Sequence, residues 1–190
     1  SVVILDSLNL NTLQDAGGNN IFVSNGSGTI TSKNSGVSGA LNLISTQTAS
    51  GSAGIAFTSN FDSTYDVYCF KFIDINPATD DVYFQFNAST DGGSNYNVTK
   101  TTSFFSAYHY EDGTNQNLAY QTAQDLAQST SYQRLFYQLG NGADECLIGE
   151  LWYYAPSSTT YVKHFYSTIQ GYNMTPDRAL NTYIAGYMNT

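Results

Sequence analysis

The chain has few basic residues. Lys and Arg together number 6 among 190 residues, against 15 Asp and Glu, and the formal net charge is −9. The six bases are also scattered along the chain, whereas a protein that neutralises nucleic-acid phosphates needs clustered Lys and Arg. The charge balance therefore argues against nucleic acid as a partner, and it equally disfavours an anionic membrane surface.

Cysteine, histidine and long apolar runs are also scarce. No hydrophobic run reaches the length of a transmembrane helix, so we expect no membrane partner. Cys69 and Cys146 lie in the alternating runs "YDVYCFKF" and "DECLIGELWYY", where buried free thiols are expected, although a disulfide stays open. His109 and His164 lie in separate aromatic runs and offer no spacing for a metal site or a catalytic triad. We predict no cofactor.

Period-two alternation is the dominant pattern that the sequence does have, and it is typical of half-buried strands. In 65–73 and 82–88, alternate residues form an apolar face, which consists of Tyr68, Phe70 and Phe72 in the first run and Val82, Phe84, Phe86 and Ala88 in the second. Further strand candidates lie at 20–24, 28–33, 39–47, 54–59, 96–108, 132–139, 145–155, 160–169 and 181–188. Many short strands separated by Gly, Asn, Ser and Thr predict an all-β fold.

The arrangement of these strands is predicted from one internal similarity. The segments "NPATDDVYFQF" (76–86) and "APSSTTYVKHF" (155–165) each place a proline before an aromatic strand, which favours two related halves and a jelly-roll-like antiparallel β-sandwich. We expect antiparallel hairpins at 65–88, 82–102 and 145–169. A short helix or turn is expected at 117–128, in a long connection, and a single helical turn at 175–180.

The domain organisation follows from a change in composition near the start of the chain. The first 20 residues are more polar than the rest and alternate weakly. We therefore expect 1–20 to be an N-terminal arm or docking segment and 21–190 to be a single β-sandwich domain. A domain of this length is large enough to bury a core without a metal or disulfides.

The segment "TDGGSNYNVTK" (90–100) has two readings. Asp91-Gly92-Gly93 supplies the positive φ angles of a tight turn, which predicts a hairpin bend. Alternatively, the oxygen atoms of Asp91, Asn95 and Asn97 could contribute to a calcium site, although calcium needs six to eight oxygens and the spacing is not that of a helix–loop–helix site. The plain turn is the favoured reading.

Catalytic signatures are weak. Glycoside hydrolysis needs two carboxyl groups that face one cleft, and Glu occurs only at 111, 145 and 150. Glu145 and Glu150 are five positions apart and point to opposite faces of a regular strand, so a pair would have to come from different strands, such as Glu111 with Glu150. The chain lacks a nucleophile elbow, a zinc-protease motif and a phosphate-binding loop, so we predict no catalytic residues.

Tyrosine is the strongest compositional anomaly, with 16 Tyr against a single Trp. Tyr suits half-buried strand surfaces, and it is also enriched at protein interfaces. Several Tyr are expected opposite the core face, namely Tyr83, Tyr108, Tyr110, Tyr153 and Tyr161. Because the Tyr are spread over several strands, subunit contacts are favoured over a sugar-binding cleft. The candidate interface residues are Tyr153, Tyr161, Tyr166 and Tyr183.

The stretch "STYDVYCFKFIDINPATDDVYFQFNASTDGGSNYNVTKTTSFFSAYH" (63–109), with "AQSTSYQ", "GNGADE", "YAPSSTTYVKHF" and "IAGYMNT", resembles a family of virion structural proteins from marine tailed phages. The resemblance covers roughly 60–190. It implies a β-sandwich and association with the virion surface, and it transfers no active site.

Residues and resemblance together predict a non-enzymatic virion structural protein, either a capsid decoration protein or a tail-fibre or appendage protein. We expect it to self-associate, most simply as a trimer, and to contact other virion proteins through its N-terminal segment. The alternative is a carbohydrate- or host-surface-binding module of a tail fibre, with host glycans as partners. A third alternative is an unrecognised glycan hydrolase.

Overall fold

A computed structural model describes residues 11–34, 41–174 and 176–189. The chain divides into two compact units, Ser1–Thr48 and Ala49–Thr190. The boundary expected after residue 20 falls inside the strand Asn20–Ser24, which pairs with the strand before it, and the two compact units divide the chain later.

Residues 11–34 of the first unit form a small antiparallel sheet. Its strands are β1 (Thr12–Gln14), β2 (Asn20–Ser24) and β3 (Ile30–Lys33), with β2 in the centre. The turn after β1 is fixed by Asp15, whose Oδ1 accepts hydrogen bonds from the backbone N–H groups of Gly17 and Asn19. These bonds hold the pKa of Asp15 below its ordinary value, with the Asn19 side chain as the largest cause. The strands are short and largely exposed, so they bury little apolar surface.

The second unit is a two-layer β-sandwich. Its strands are β4 (Val67–Ile75), β5 (Val82–Phe86), β6 (Lys100–Tyr110), β7 (Gln116–Tyr120), β8 (Gln133–Leu139), β9 (Leu147–Tyr154), β10 (Lys163–Met174) and β11 (Asp177–Met188). Six of them form one antiparallel sheet in the order β4-β9-β10-β11-β6-β7, and β5 pairs with β8 in a second sheet. The small sheet packs on the large one through β8, which contacts β10 and β11.

The core lies between these layers because one face of each strand is apolar. Phe104 on β6, Phe136 on β8, Ile169 on β10 and Leu180 on β11 are all 0% exposed. The predicted apolar faces of β4 and β5 also point inward, since Phe70, Phe72, Val82, Phe84, Phe86 and Ala88 pack against this cluster. Beside β4, Phe61 stacks on Tyr68 with ring centroids 4.2 Å apart and extends the second layer.

The predicted all-β antiparallel sandwich is confirmed, and the described residues contain no helix. The helical reading of 117–128 is wrong. Its first residues form β7, which pairs with β6, and a turn follows at 122–124. The helical turn expected at 175–180 is also wrong, because β11 begins at Asp177. In both places, hydrogen bonding to a neighbouring strand outweighs a local preference.

The pairing of the first predicted hairpins differs from expectation. β4 pairs with β9 and β5 with β8, so the segments 65–88 and 82–102 are not hairpins, and the 76–81 connection passes from one sheet to the other. The 145–169 hairpin is confirmed as β9 with β10. The two similar proline-containing segments therefore have different roles, since the second one connects neighbours within a single sheet.

Strand candidates at 54–59 and at the described part of 39–47 are irregular, and residues 39 and 40 lie outside the described ranges. Cys69 and Cys146 are free, half-buried thiols, which agrees with the favoured reading. Burial raises the pKa of Cys69 above its ordinary value. Within the described ranges, no helix is long and apolar enough to cross a membrane.

Candidate functional site

The face of the six-stranded sheet that points away from the core is the main candidate site. We call it the outer face, and it consists of the side chains that alternate with the core side chains on these six strands. Its aromatic members on these strands, apart from the two histidines, are Phe105, Tyr120, Trp152, Tyr154, Tyr166, Tyr172, Tyr183 and Tyr187. Phe105 is 42% exposed and Tyr120 52%, and the aliphatic Leu118 beside them is 67% exposed.

The strand register places these aromatic rings in cross-strand stacks. Tyr183 lies opposite Phe105, and their ring centroids are 5.0 Å apart with an interplanar angle of 13°. Tyr166 lies opposite Trp152, with ring centroids 6.3 Å apart. Tyr154 stacks on Tyr166 at 6.1 Å, and the Tyr154 side chain is the main cause that raises the pKa of Tyr166. Stacks of this kind fix the rings in place and leave a rigid surface.

The charged pair on the outer face lies at its β4 edge and is neutral as a unit. Lys71 and Glu150 lie opposite each other on β4 and β9 and form an ion pair, and the Lys71 ammonium lies 5.9 Å from the centre of the Trp152 ring. The ion pair is the main cause that raises the pKa of Lys71 and lowers that of Glu150. The indole N–H of Trp152 adds to the effect on Glu150, although it makes no hydrogen bond of normal geometry.

A shallow groove of about 480 Å³ interrupts the aromatic surface near one end of the sheet. Ser103 and Ala185 form its floor, opposite each other on β6 and β11. Tyr166 and Tyr187 stand beside it, and small residues on the floor leave space between them. The groove makes the outer face concave at this end, so a protruding side chain of another protein surface could fit into it.

The four tyrosines predicted as interface residues do not share one surface. Tyr166, which is 41% exposed, and Tyr183 lie on the outer face, as described above. Tyr161 is 73% exposed and lies in the connection between β9 and β10. Tyr153 is 8% exposed and points into the core, where burial raises its pKa to about 12. The proposal that Tyr153 forms an interface is therefore wrong.

The expectation that several other tyrosines lie opposite the core is confirmed only in part. Tyr83 is 46% exposed and points outward from β5. Tyr108 instead packs against the core cluster, where it lies 4.5 Å from the guanidinium of Arg178. Neighbouring residues of a strand point to opposite faces, so a shift of one residue in the assumed alternation changes a tyrosine from exposed to buried.

The Asp91 loop is a tight turn, although not between paired strands. Gly92 and Gly93 have φ angles of 71° and 91°, as the sequence predicted. The Asp91 carboxylate accepts hydrogen bonds from Ser89 Oγ at 2.6 Å and from the backbone and side chain of Asn95 at 2.8 and 2.6 Å. These bonds, with Ser89 the largest cause, lower the pKa of Asp91 to about 2. Asn97 is exposed nearby, and the geometry favours the turn over the calcium reading.

The two glutamates left open as a catalytic pair, Glu111 and Glu150, lie far apart. Glu150 is level with Thr168 on β10, whereas the backbone of Glu111 bonds to Asp177 beyond the end of β10. Six residues of strand separate these levels, or roughly 20 Å, well beyond the spacing of a glycosidase pair. Glu145 instead accepts a hydrogen bond from the backbone of Gly142 in a turn. The structure therefore does not bring Glu111 and Glu150 into one cleft.

The two histidines are also separated on the outer face. His164 lies opposite Tyr187 at one end of the sheet, and His109 lies opposite Ala179 toward the other. In the described part of the chain, no group of three or more His, Cys, Asp or Glu side chains is arranged to hold a metal ion.

The chain was compared with protein families, curated proteins and solved structures, and no family model, no curated protein and no solved structure matches it.

Sequence reasoning missed several members of the outer face, including Phe105, Trp152, Tyr154 and Tyr187. Their alternation with core residues was visible in the sequence. Which alternate set points outward depends on where the second layer packs, however, and that is a property of the tertiary fold.

Proposed function

We propose that this chain is a non-enzymatic structural protein of a phage particle that associates with copies of itself through the outer face. The observation that supports this is the exposed apolar surface across six strands, which includes Phe105, Tyr120 and Leu118 at 40% exposure or more. A solitary domain rarely leaves so many large apolar side chains of one face open to water. Aromatic residues are also enriched where proteins meet.

The charge distribution favours a second copy as the partner. With a net charge of −9, two copies repel each other unless they meet through surfaces without net charge. The outer face suits such a contact, because the Lys71–Glu150 pair at its β4 edge is neutral as a unit. The stacked rings Phe105–Tyr183 and Trp152–Tyr166 need little ordering when they are buried, which lowers the entropic cost of association.

The assignment to a virion, and within it to a decoration, fibre or appendage protein, rests on the resemblance of residues 60–190 to phage structural proteins. A trimer is proposed because closed rings let one surface meet its own complement, and because such particle positions are commonly three-fold. The first unit is proposed to contact other virion proteins.

Light scattering coupled to size-exclusion chromatography tests this proposal on the full chain at micromolar concentration. We expect about 62 kDa, which corresponds to three copies of a 20.7 kDa chain. The double variant Tyr166→Ser, Tyr183→Ser should shift the mass toward the monomer, because it removes two aromatic contacts from the outer face.

Tyr161→Ser is the matched comparison, since Tyr161 is more exposed than Tyr166 but lies off the sheet. A wild-type monomer, or an oligomer that only Tyr161→Ser disrupts, would refute association through the outer face. A stable dimer that the double variant disrupts would support association through the outer face but refute the trimer.

A further inference from the structure

A second concave site lies in the same unit, away from the outer face. It is a pocket of about 460 Å³ where the outward side of β5 and β8 meets the connection between β7 and β8. The polar residues that line it are Gln85, Gln124, Asp125, Ser131, Tyr132 and Arg134. Pockets for apolar ligands are lined mainly by hydrophobic side chains, so a lining this polar calls for a polar ligand.

A buried hydrogen-bond network holds the pocket in shape. Gln133 is 0% exposed, and its amide nitrogen donates to the backbone oxygens of Gln124 at 3.0 Å and Arg134 at 2.8 Å. Its amide oxygen accepts a hydrogen bond from Thr102 at 2.6 Å, and the Thr102 hydroxyl in turn accepts one from the backbone of Leu126. Buried polar groups are costly unless every one is paired, and here they fix the backbone on both sides of the pocket.

The side chains that face the pocket are fixed in the same way. The Arg134 guanidinium lies 3.9 Å from the centre of the Tyr83 ring and donates to Gln124 Oε1 at 2.8 Å and to the Ala123 backbone oxygen at 3.2 Å. Asp125 Oδ2 accepts a hydrogen bond from the Tyr120 hydroxyl at 2.6 Å. Side chains held by such contacts lose little freedom when a ligand binds, which is the property of a prepared binding site.

We propose that this pocket binds a neutral sugar. An anion would meet the Asp125 carboxylate and the net negative charge of the chain, whereas a cation would meet Arg134. A neutral pyranose avoids both costs, because its neighbouring hydroxyls can donate to Asp125 and accept from Arg134 and the glutamine amides. Tyr132, which is 47% exposed at the rim, offers an aromatic face for the apolar side of the ring. The pocket lining does not include an outer-face residue, although Asp125 is held by the hydroxyl of Tyr120 from that face, and the proposal does not rest on self-association.

A glycan array that carries neutral and acidic oligosaccharides, probed with the full chain, tests the proposal. We expect binding to neutral glycans, which saturation-transfer NMR and calorimetry with the corresponding free sugars should reproduce. Asp125→Asn and Gln124→Ala should each weaken binding about tenfold, since the first replaces a charged acceptor oxygen by an amide NH2 group and the second removes an amide from the pocket. Asp81→Asn is the matched control, because Asp81 is an exposed acid outside the pocket, and it should leave affinity unchanged.

Three results would overturn the proposal. The first is an array without any neutral-glycan signal, and the second is binding restricted to acidic glycans or inorganic phosphate. The third is neutral-sugar binding that survives Asp125→Asn and Gln124→Ala but is lost in Tyr166→Ser, which would place the sugar on the outer face. The melting temperature of each variant is measured beside its affinity, and only variants that melt at the wild-type temperature are used, so that a folding defect is not taken for a loss of affinity.

Discussion

Replacing Lys100 by Met should change how the stability of the sandwich depends on pH. Lys100 begins β6 and is 0% exposed, and its ammonium donates to the backbone oxygen of Ser131 at 2.6 Å. No carboxylate in the described residues forms an ion pair with it. Burial therefore lowers the pKa of Lys100 from 10.5 to about 8.

The sign and size of the effect follow from proton linkage. Between pH 8 and 10 the unfolded chain still holds the Lys100 proton, whereas the folded chain has lost it, so this group makes stability rise with pH. One pKa unit corresponds to about 1.4 kcal/mol, and the gain over this window is about 2 kcal/mol. Below pH 8 both states are protonated, and the contribution becomes constant. Lys100→Met removes this group's contribution to the slope.

Urea unfolding at pH 8, 9 and 10 measures this slope, with the fluorescence of the single Trp152 as the signal. Wild type and Lys100→Met are compared at each pH, because the raised pKa values of Cys69 and Tyr153 act in the opposite direction and cancel in the difference. We expect the stability of the wild type relative to the variant to rise by about 2 kcal/mol from pH 8 to 10. Parallel curves would refute the reasoning, because they would mean that Lys100 keeps its proton in the folded chain.

The alternation of apolar residues predicted the interior of the sandwich well. In β4 and β5 the residues expected on one face do face the core, because the alternation of a strand requires no knowledge of its partner. The hairpin of β9 and β10 was also predictable, since the two strands follow each other and pair directly.

Long-range pairing could not be predicted in the same way. β4 pairs with β9, which lies far along the sequence, and the residues of neither strand indicate which strand it will pair with. The segment 117–128 fits a helical stripe locally, but its first residues complete the hydrogen bonding of β6. Sheet formation therefore overrides local preference at this edge.

The candidate sites depended most on information that the sequence lacks. Tyr153 and Tyr154 are adjacent and chemically identical, yet the first is buried in the core and the second stacks on the outer face. The polar pocket is even harder to predict from the sequence, because the backbone that carries Gln124, Asp125 and Arg134 is held in place by the buried side chain of Gln133. In the sequence, Gln133 is one polar residue at the start of a strand.

Two further predictions test the polar contacts. EDTA should leave the melting temperature unchanged, because Ser89 and Asn95 occupy the Asp91 carboxylate; a fall of several degrees that calcium restores would instead establish a metal site. Arg178→Met should destabilise the sandwich by about 2–3 kcal/mol in urea unfolding, since it removes an arginine that is 7% exposed and leaves the Oδ1 of Asn173, itself 0% exposed, without its donor. Arg178→Lys keeps the charge but not the planar group that lies over Tyr108, and it should recover part of this loss. A loss below about 0.5 kcal/mol in Arg178→Met would mean that water replaces the guanidinium and that this end of the core is open to solvent.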